Sequence, residues 1–241
     1  MKIESKLFKS LMRIVSETGA HDLTFRPAAV DVIGRGIAVR FGTRSVSHEQ
    51  PFSVSAFAFT LAVKRIRPTA GKPVEVVRLA TRNGSPATSI ASVSCAGIAT
   101  DILAFDAVEA PDFSPGHPDG KLTELFGTDW KWLDRARAQH GDSNLTLTYF
   151  CLVPGIGVVA SGRQWMHIEP DRGIAFYGFI PGIPVTLDAI AAESVGVAEE
   201  RADGTTVCII YGTGGTIRYV VDREMPEYPD VAAIASATRA P

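Results

Sequence analysis

The chain repeats one order of predicted strands and helices, and this internal repeat limits its possible folds more than any other feature. The segment EAPDF (109–113) closes one long β-rich stretch, and the segment EMPEY (224–228) closes a second one. Pro111 and Pro226, at the centres of these segments, lie close to half of the 241-residue chain apart. Because half of this chain is the size of a typical small domain, we predict a duplicated domain.

Both halves show the hydrophobic spacings of strands and helices in the order β-α-β-β-β-α-β-β. The first half adds one further strand at its end, and the second half adds one before its second helix. In the first half, the second helix is predicted to begin near the N-cap residue Ser55 and to end before Pro68. The other predicted elements of this half are strands 2–4, 23–25, 30–33, 37–41, 74–80, 89–94 and 98–105 and helix 6–16.

The second half is predicted to contain two helices, which Thr128 and Thr186 cap. Only two strands are predicted to close this half, so its sheet is expected to lack one of the closing strands of the first half. The predicted elements are helices 129–140 and 187–195 and strands 121–126, 145–152, 157–160, 165–168, 174–179, 206–212 and 216–222.

These patterns divide the chain into two domains with a linker between them. The linker contains Pro and Gly together with an Asp-Gly pair, which is the composition of turns. The predicted boundaries are domain 1 at 1–113, the linker at 114–121, domain 2 at 122–231 and a C-terminal tail at 232–241.

The composition is that of a soluble globular protein, with 46% hydrophobic and 21% charged residues. No apolar run reaches the length of a membrane helix, and the N-terminus lacks the pattern of a secretory signal. The three cysteines lie inside apolar β-like runs, as reduced core residues do. We therefore expect a cytoplasmic protein without a membrane partner. Its net charge of −2 indicates no overall attraction to nucleic acid.

No sequence motif indicates catalysis. The segment HGDSN (140–144) follows a predicted helix and is typical of a helix end, and GTGG (212–215) lies between two strands, as a hairpin turn does. The five histidines do not have the spacing of metal ligands. We predict a protein that is not an enzyme, with no catalytic residue, metal or cofactor.

Several short segments resemble the DNA polymerase sliding clamp family. FSVSAFAF (52–59) resembles a helix entry of bacterial clamps, and VVASGRQWMHI (158–168) resembles a strand-turn-strand of the family. APDF and MPEYPD resemble the motif that closes a clamp domain, and TIRYVVDREMP (216–226) resembles a closing strand. The resemblance implies an α+β fold of two tandem clamp-like domains, each with two helices packed on small antiparallel sheets. It also implies three subunits in a ring, as in proliferating cell nuclear antigen.

The resemblance further implies that basic residues on rigid helices face duplex DNA without reading its sequence. Three of the four predicted helices carry such residues, whereas the fourth has none. Taken alone, each basic helix face is also what an ordinary solvated surface looks like. The predicted DNA-facing residues are Lys6, Lys9, Arg13, Lys64, Arg65, Arg67, Lys131, Arg135 and Arg137.

Clamps bind a DNA polymerase and a clamp loader through short peptides that enter a groove, and the resemblance implies the same partners here. By position, the expected groove residues are Val32, Gly34, Arg35, Ile37, Pro115, His117, Tyr219, Val220 and Val221.

Two other functions remain open at the level of the sequence. A double hot-dog acyl-thioester enzyme also repeats a unit of helix and sheet over about this length, and it would require one long apolar helix in each half. A clamp-like scaffold that does not encircle DNA would have the same fold without the function.

Overall fold

The structure is a computed structural model that describes residues 1–43, 50–79, 89–109, 111–114, 121–126, 149–153, 156–161, 165–170, 178–181 and 184–221. The chain divides into two compact units, Met1–Pro111 and Asp112–Pro241.

Unit 1 is one antiparallel sheet with two helices. The strands are β1 (Lys2–Ile3), β2 (Asp22–Phe25), β3 (Ala29–Gly34), β4 (Ile37–Gly42), β5 (Phe52–Ser55), β6 (Val74–Leu79), β7 (Ser89–Cys95) and β8 (Ile98–Asp106). The helices are α1 (Ser5–Glu17) and α2 (Ala56–Ile66). The strands lie in the order β1-β6-β7-β8-β5-β2-β3-β4. Both helices and seven of the eight strands occur where the sequence predicts them.

Aromatic and aliphatic side chains between the helices and the sheet form the core of unit 1. On α1, Phe8, Leu11 and Ile14 recur every three residues and are buried, which is the pattern of a helix with one core face. Phe59 of α2 contacts Phe8, with ring centroids 6.2 Å apart, and Phe25 of β2 at 5.6 Å. Phe25 also stacks on Phe52 of β5. These rings join both helices to the sheet.

The strand β5 was not predicted, because its residues directly precede α2 in a single apolar run. Phe52 and Val54 point into the core and pair with β2, so a strand forms before the helix begins. The helix starts after Ser55, as predicted, but the Ser55 side chain makes no capping hydrogen bond. The helix ends at Arg67, whose backbone is left-handed (φ 49°), and Pro68 follows.

Unit 2 contains two described sheets. Its elements are β9 (Lys121–Phe126), β10 (Tyr149–Val153), β11 (Ile156–Ser161), β12 (Trp165–Pro170), β13 (Gly178–Pro181), α3 (Pro184–Ala189), β14 (Ala192–Glu200), β15 (Thr206–Gly212) and β16 (Gly215–Val221). One sheet has the order β9-β14-β15-β16 and the other β13-β10-β11-β12. The predicted helix 129–140 lies outside the described residues, as do parts of the strands predicted at 145–152 and 174–179.

The end of the second half differs from the prediction in two ways. The helix predicted at 187–195 is the shorter α3, in which Thr186 lies inside the helix and not at its N-cap. Residues 192–200 form the strand β14, so three strands close this half and none is missing. Ala and Glu favour a helix here, but pairing with β9 on one side and β15 on the other overrides that preference.

A close backbone approach ends α3 before β14. The N–H of Gly214, in the β15–β16 turn, donates a hydrogen bond to the carbonyl of Ile190 at 2.8 Å. A Cβ atom on Gly212 would lie 2.2 Å from the same carbonyl oxygen, so only glycine fits at this position. Ala191, which follows Ile190, has a left-handed backbone with φ 50°. The β15–β16 hairpin therefore packs closely against the backbone at the C-terminal end of α3.

The strand order of unit 1 recurs in unit 2. Each strand of unit 2 corresponds to the strand of unit 1 whose number is lower by eight. The order β9-β14-β15-β16 thus corresponds to β1-β6-β7-β8, and β13-β10-β11-β12 corresponds to β5-β2-β3-β4. The helices α2 and α3 both lie between the fifth and sixth strands of their units.

Candidate nucleic-acid interface

The exposed face of α1 is basic. Lys6, Lys9 and Arg13 are exposed along the side of the helix that faces away from the core residues Leu11 and Ile14. The spacing of these three residues places them on one face, as the sequence predicts. The sole acidic residue within α1 is Glu17, in its last turn.

The helix α2 continues the basic surface at its C-terminal end. Lys64 and Arg65 are in the last turn, Arg67 follows at the C-cap, and all three are exposed. Cations at this end also stabilise the helix, because the C-terminus carries partial negative charge. The helix α2 contains no acidic residue.

None of these six cations forms an ion pair within the described residues. Other cations of unit 1 do so: Lys2 pairs with Glu75 at 3.1 Å, and Arg78 pairs with Asp106 at 3.1 Å. We name the exposed faces of α1 and α2 the basic helix face, and define it by Lys6, Lys9, Arg13, Lys64, Arg65 and Arg67. Its charges are solvated and available to an anionic partner. Lys131, Arg135 and Arg137 lie outside the described residues.

An apolar feature that was not predicted lies beside these charges. Phe57 is 74% exposed and Leu61 is 40% exposed, on the same side of α2 as Lys64. Phe57 also borders an open pocket of about 250 Å³. The pocket is lined by Met12, Val15, Ser16, Gly19, Ala20, Ala56, Phe57 and Thr60. The signal was present in the sequence, because Phe57 is out of phase with the buried Ala56, Phe59, Ala62 and Ile66.

Most of the predicted groove residues belong to the cores of their units. Val32, Gly34 and Ile37 are buried in unit 1, and Tyr219 and Val221 are buried in unit 2. Arg35 is exposed in the β3–β4 turn, and Val220 is half-buried on β16. Pro115 and His117 lie outside the described residues. Of the predicted groove residues that the structure describes, Arg35 and Val220 are therefore the two that are open to solvent.

A polar cluster lies on one face of β14–β16. Arg201 approaches the buried carboxylate of Glu199 at 3.5 Å, and Arg218 lies on β16, which β15 separates from β14. Burial lowers the pKa of Arg218, and the charge of Arg201 lowers it further, whereas Asp112 and Glu199 oppose the shift. Among the described residues, the cluster contains the cations Arg201 and Arg218 and the carboxylates of Asp112 and Glu199.

The described residues contain no arrangement for metal or thiol chemistry. No group of three or more His, Cys, Asp or Glu residues lies close enough to hold a metal ion in this part of the chain. Cys95 and Cys208 are buried free thiols. Burial raises the pKa of Cys208 to about 12, which keeps this thiol protonated at neutral pH. Among the described helices, none has the length and apolar composition to cross a bilayer.

Comparison with known proteins gives a fold but no sequence relative. No family model and no curated protein matches the sequence. Among solved structures, PCNA from A. fulgidus, solved with the C-terminal region of FEN-1, matches with a TM-score of 0.53 at 10% identity. The match covers 93% of this chain and 98% of that PCNA.

Two bacterial clamps give similar scores. A putative DNA polymerase III beta subunit from Eubacterium rectale matches with a TM-score of 0.57 at 11% identity, over 98% of this chain and 67% of that one. The H. pylori beta clamp matches with a TM-score of 0.56 at 12% identity, over 97% and 65%. This chain therefore spans nearly all of a PCNA subunit but about two thirds of a bacterial one. The architecture is α+β, and unit 1 has two helices of moderate length and no long central one. Together with this architecture, the matches show that the chain has the fold of the DNA polymerase sliding clamps and not that of a double hot-dog enzyme.

Proposed function

We propose that this protein is a sliding clamp, a non-enzymatic processivity factor that encircles duplex DNA. The observation that carries the proposal is the basic helix face, six exposed cations without ion pairs in the described residues, on the helices of a clamp fold. A clamp must attract phosphates from any sequence and still slide, which exposed Lys and Arg on rigid helices allow. The predicted helix 129–140, with Lys131, Arg135 and Arg137, would supply further cations for DNA.

The proposal includes two clamp-like domains with the boundaries 1–113 and 122–231, a linker between them and a tail at 232–241. The repeated strand order of the two units supports this division. Three such chains would supply six domains and form a homotrimeric ring. We also propose that the protein acts in the cytoplasm.

We further propose that neighbouring subunits join through free strand edges. Within the described residues, Ile98–Ala104 of β8 pairs only with β7, because β5 reaches just Phe105 and Asp106. In unit 2, β12 is an edge strand of its described sheet. An unpaired edge is a template for a strand of another chain. Pairing of the β8 edge with the β12 edge of the next copy would close a ring by a head-to-tail contact.

A DNA polymerase and a clamp loader are the proposed partners, bound through short peptides. The likeness to a PCNA solved with the C-terminal region of FEN-1 supports this mode of binding. Arg35 and Val220 are the described residues at which we expect such peptides to make contact.

We expect a fourfold alanine variant to be retained less well on closed circular duplex DNA. The variant replaces Lys9, Arg13, Lys64 and Arg65. Because each phosphate contact adds about 0.9 to the slope of log affinity against log salt, the four replacements should flatten this slope by about 3 to 4. Retention is measured after loading, across a series of salt concentrations. The control is Lys2→Ala, since Lys2 is an exposed cation paired with Glu75 on β6. Equal salt slopes for the wild type and the fourfold variant would contradict a DNA-facing role, and would favour a scaffold that does not encircle DNA.

Aspartate at Leu103 or Ile98 is expected to separate the subunits without unfolding them. These side chains are 65% and 54% exposed, so the free energy of unfolding should change by less than about 0.5 kcal/mol. The measurement is the mass in solution together with negative-stain electron microscopy, in which the wild type should give closed rings of three subunits. Asp101→Ser, on the same strand, is the control. A wild-type monomer, or variants that keep the trimer mass, would contradict ring closure at this edge.

A further inference from the structure

We propose that the pocket between α1 and α2 binds an unpaired nucleobase, which stacks on Phe57 while the basic helix face holds the flanking phosphates. This inference deepens the proposed function, since it adds single-stranded DNA to the ligands of the surface that is proposed to face the duplex.

The exposure of Phe57 separates it from the core. Phe59, two residues later on the same helix, is fully buried and contacts Phe8 and Phe25, whereas 74% of Phe57 is open to solvent. Phe57 therefore contributes little to the packing of unit 1. Together with the exposed Leu61 on the next turn, Phe57 forms an apolar patch rimmed by cations, and such patches mark binding sites.

Small residues leave room beside this ring. Gly19 and Ala20 follow α1, Ala56 starts α2, and within the described part of the chain no larger side chain fills the space between them. Met12 and Val15 supply an apolar wall, while Ser16 and Thr60 supply hydroxyl groups. A cavity of about 250 Å³ with aromatic, apolar and hydroxyl linings suits a flat, polar-edged ring such as a nucleobase.

The cations of the basic helix face lie on the same two helices as the pocket residues. On α1, Arg13 lies one turn before the pocket residue Ser16, and Lys9 lies one turn before Arg13. On α2, Leu61 and Lys64 continue the face of Phe57 at the next two turns. The phosphates on either side of a base bound at Phe57 would reach these cations. An aromatic platform within a basic surface is the arrangement by which proteins bind single strands without sequence preference.

An unpaired base accounts for both parts of the surface. Duplex DNA offers phosphates to the cations, but its bases stay stacked on one another and leave Phe57 and the pocket unused. An apolar peptide would use Phe57 and Leu61 but would leave six cations without counter-charges. A single strand presents phosphates and free base faces together.

The test compares single-stranded and duplex oligonucleotides of one sequence, by fluorescence anisotropy with the full chain. Phe57→Ala is expected to weaken single-strand binding about 10-fold, because one base loses its stacking partner. Phe57→Trp should restore the binding, since it retains an aromatic face, and its fluorescence should be quenched by the single strand beyond the quenching seen in the wild type. Duplex binding by both variants should stay within twofold of the wild type, and Phe57→Leu should behave as Phe57→Ala does.

The outcomes separate this inference from the proposed function. Single-strand affinity that is equal in the wild type and in Phe57→Ala overturns the inference, and the clamp proposal then rests on the fourfold cation variant alone. No single-strand binding by the wild type also overturns it. A Phe57-dependent affinity for single strands in a protein that is not retained on closed circular duplex supports the inference and removes the clamp function.

Discussion

Replacing Phe59 with alanine is expected to lower the free energy of unfolding by about 4 kcal/mol. The Phe59 ring is fully buried and contacts Phe8 of α1 and Phe25 of β2, so its removal leaves a cavity where both helices meet the sheet. Two aromatic contacts are lost together with the buried apolar area. The measurement is equilibrium unfolding in urea, followed by a far-UV signal and a near-UV signal.

The matched control lies two positions away on the same helix. Phe57→Ala removes the same side chain from a site that is 74% exposed, and we expect a change below about 0.5 kcal/mol. The contrast tests the helix orientation directly. Equal losses for the two variants would mean that α2 is turned differently, and would also count against Phe57 as a surface for nucleobases.

Replacing Asp31 with alanine is expected to destabilise unit 1 by about 3 kcal/mol, since it removes the carboxylate from a buried ionic group. The side chain of Asp31 is completely buried and pairs with two arginines. Arg40 of the neighbouring strand donates from Nε to Oδ1 at 2.8 Å and from Nη2 to Oδ2 at 3.1 Å. Arg26 donates from Nε to Oδ2, and its Nη2 lies 3.5 Å from the carbonyl of Val108. Without Asp31, two partly buried guanidinium groups lose the buried carboxylate that accepts their hydrogen bonds.

An exposed ion pair of the same unit provides the comparison. Lys2 and Glu75 pair at 3.1 Å, with 69% and 39% of their side chains exposed, and Glu75→Ala should cost less than about 1 kcal/mol. Both variants are measured by thermal and urea unfolding at pH 7. If Asp31→Ala lowers the free energy of unfolding no more than Glu75→Ala does, burial does not determine how much the Asp31 ion pairs stabilise unit 1.

The sequence predicts elements best where one periodicity acts alone. In α1, Phe8, Leu11 and Ile14 recur at helical spacing, and both its limits and its core face follow from that. The strand β5 and the helix α2 share one apolar run, so the change from a period of two to a period of 3.6 at Ser55 is hidden. In β14, local preference favours a helix, and the strand exists because two neighbours pair with it.

The same reasoning explains which residues of the candidate site follow from the sequence and which do not. Basic residues on α1 and α2 are exposed because charges avoid the core, so their placement follows from composition and helical spacing. The groove residues Val32 and Tyr219 are predicted by position in the chain alone, and both side chains are buried. The sequence does not single out Phe57, because an aromatic residue in an apolar helix is usually a core residue. Only its phase relative to Phe59 shows that it faces outward.

The strand order of unit 1 also has a consequence during synthesis. The strand β1 is bound through the pairs Lys2–Glu75 and Ile3–Val74 of β6, which leaves the ribosome much later. At about 5 to 20 residues per second, roughly several seconds separate the two strands, and β1 has no strand to pair with in that interval. Such long-range pairing is slow to form even in a complete chain. The sheet of unit 1 therefore cannot be completed until β6 has left the ribosome.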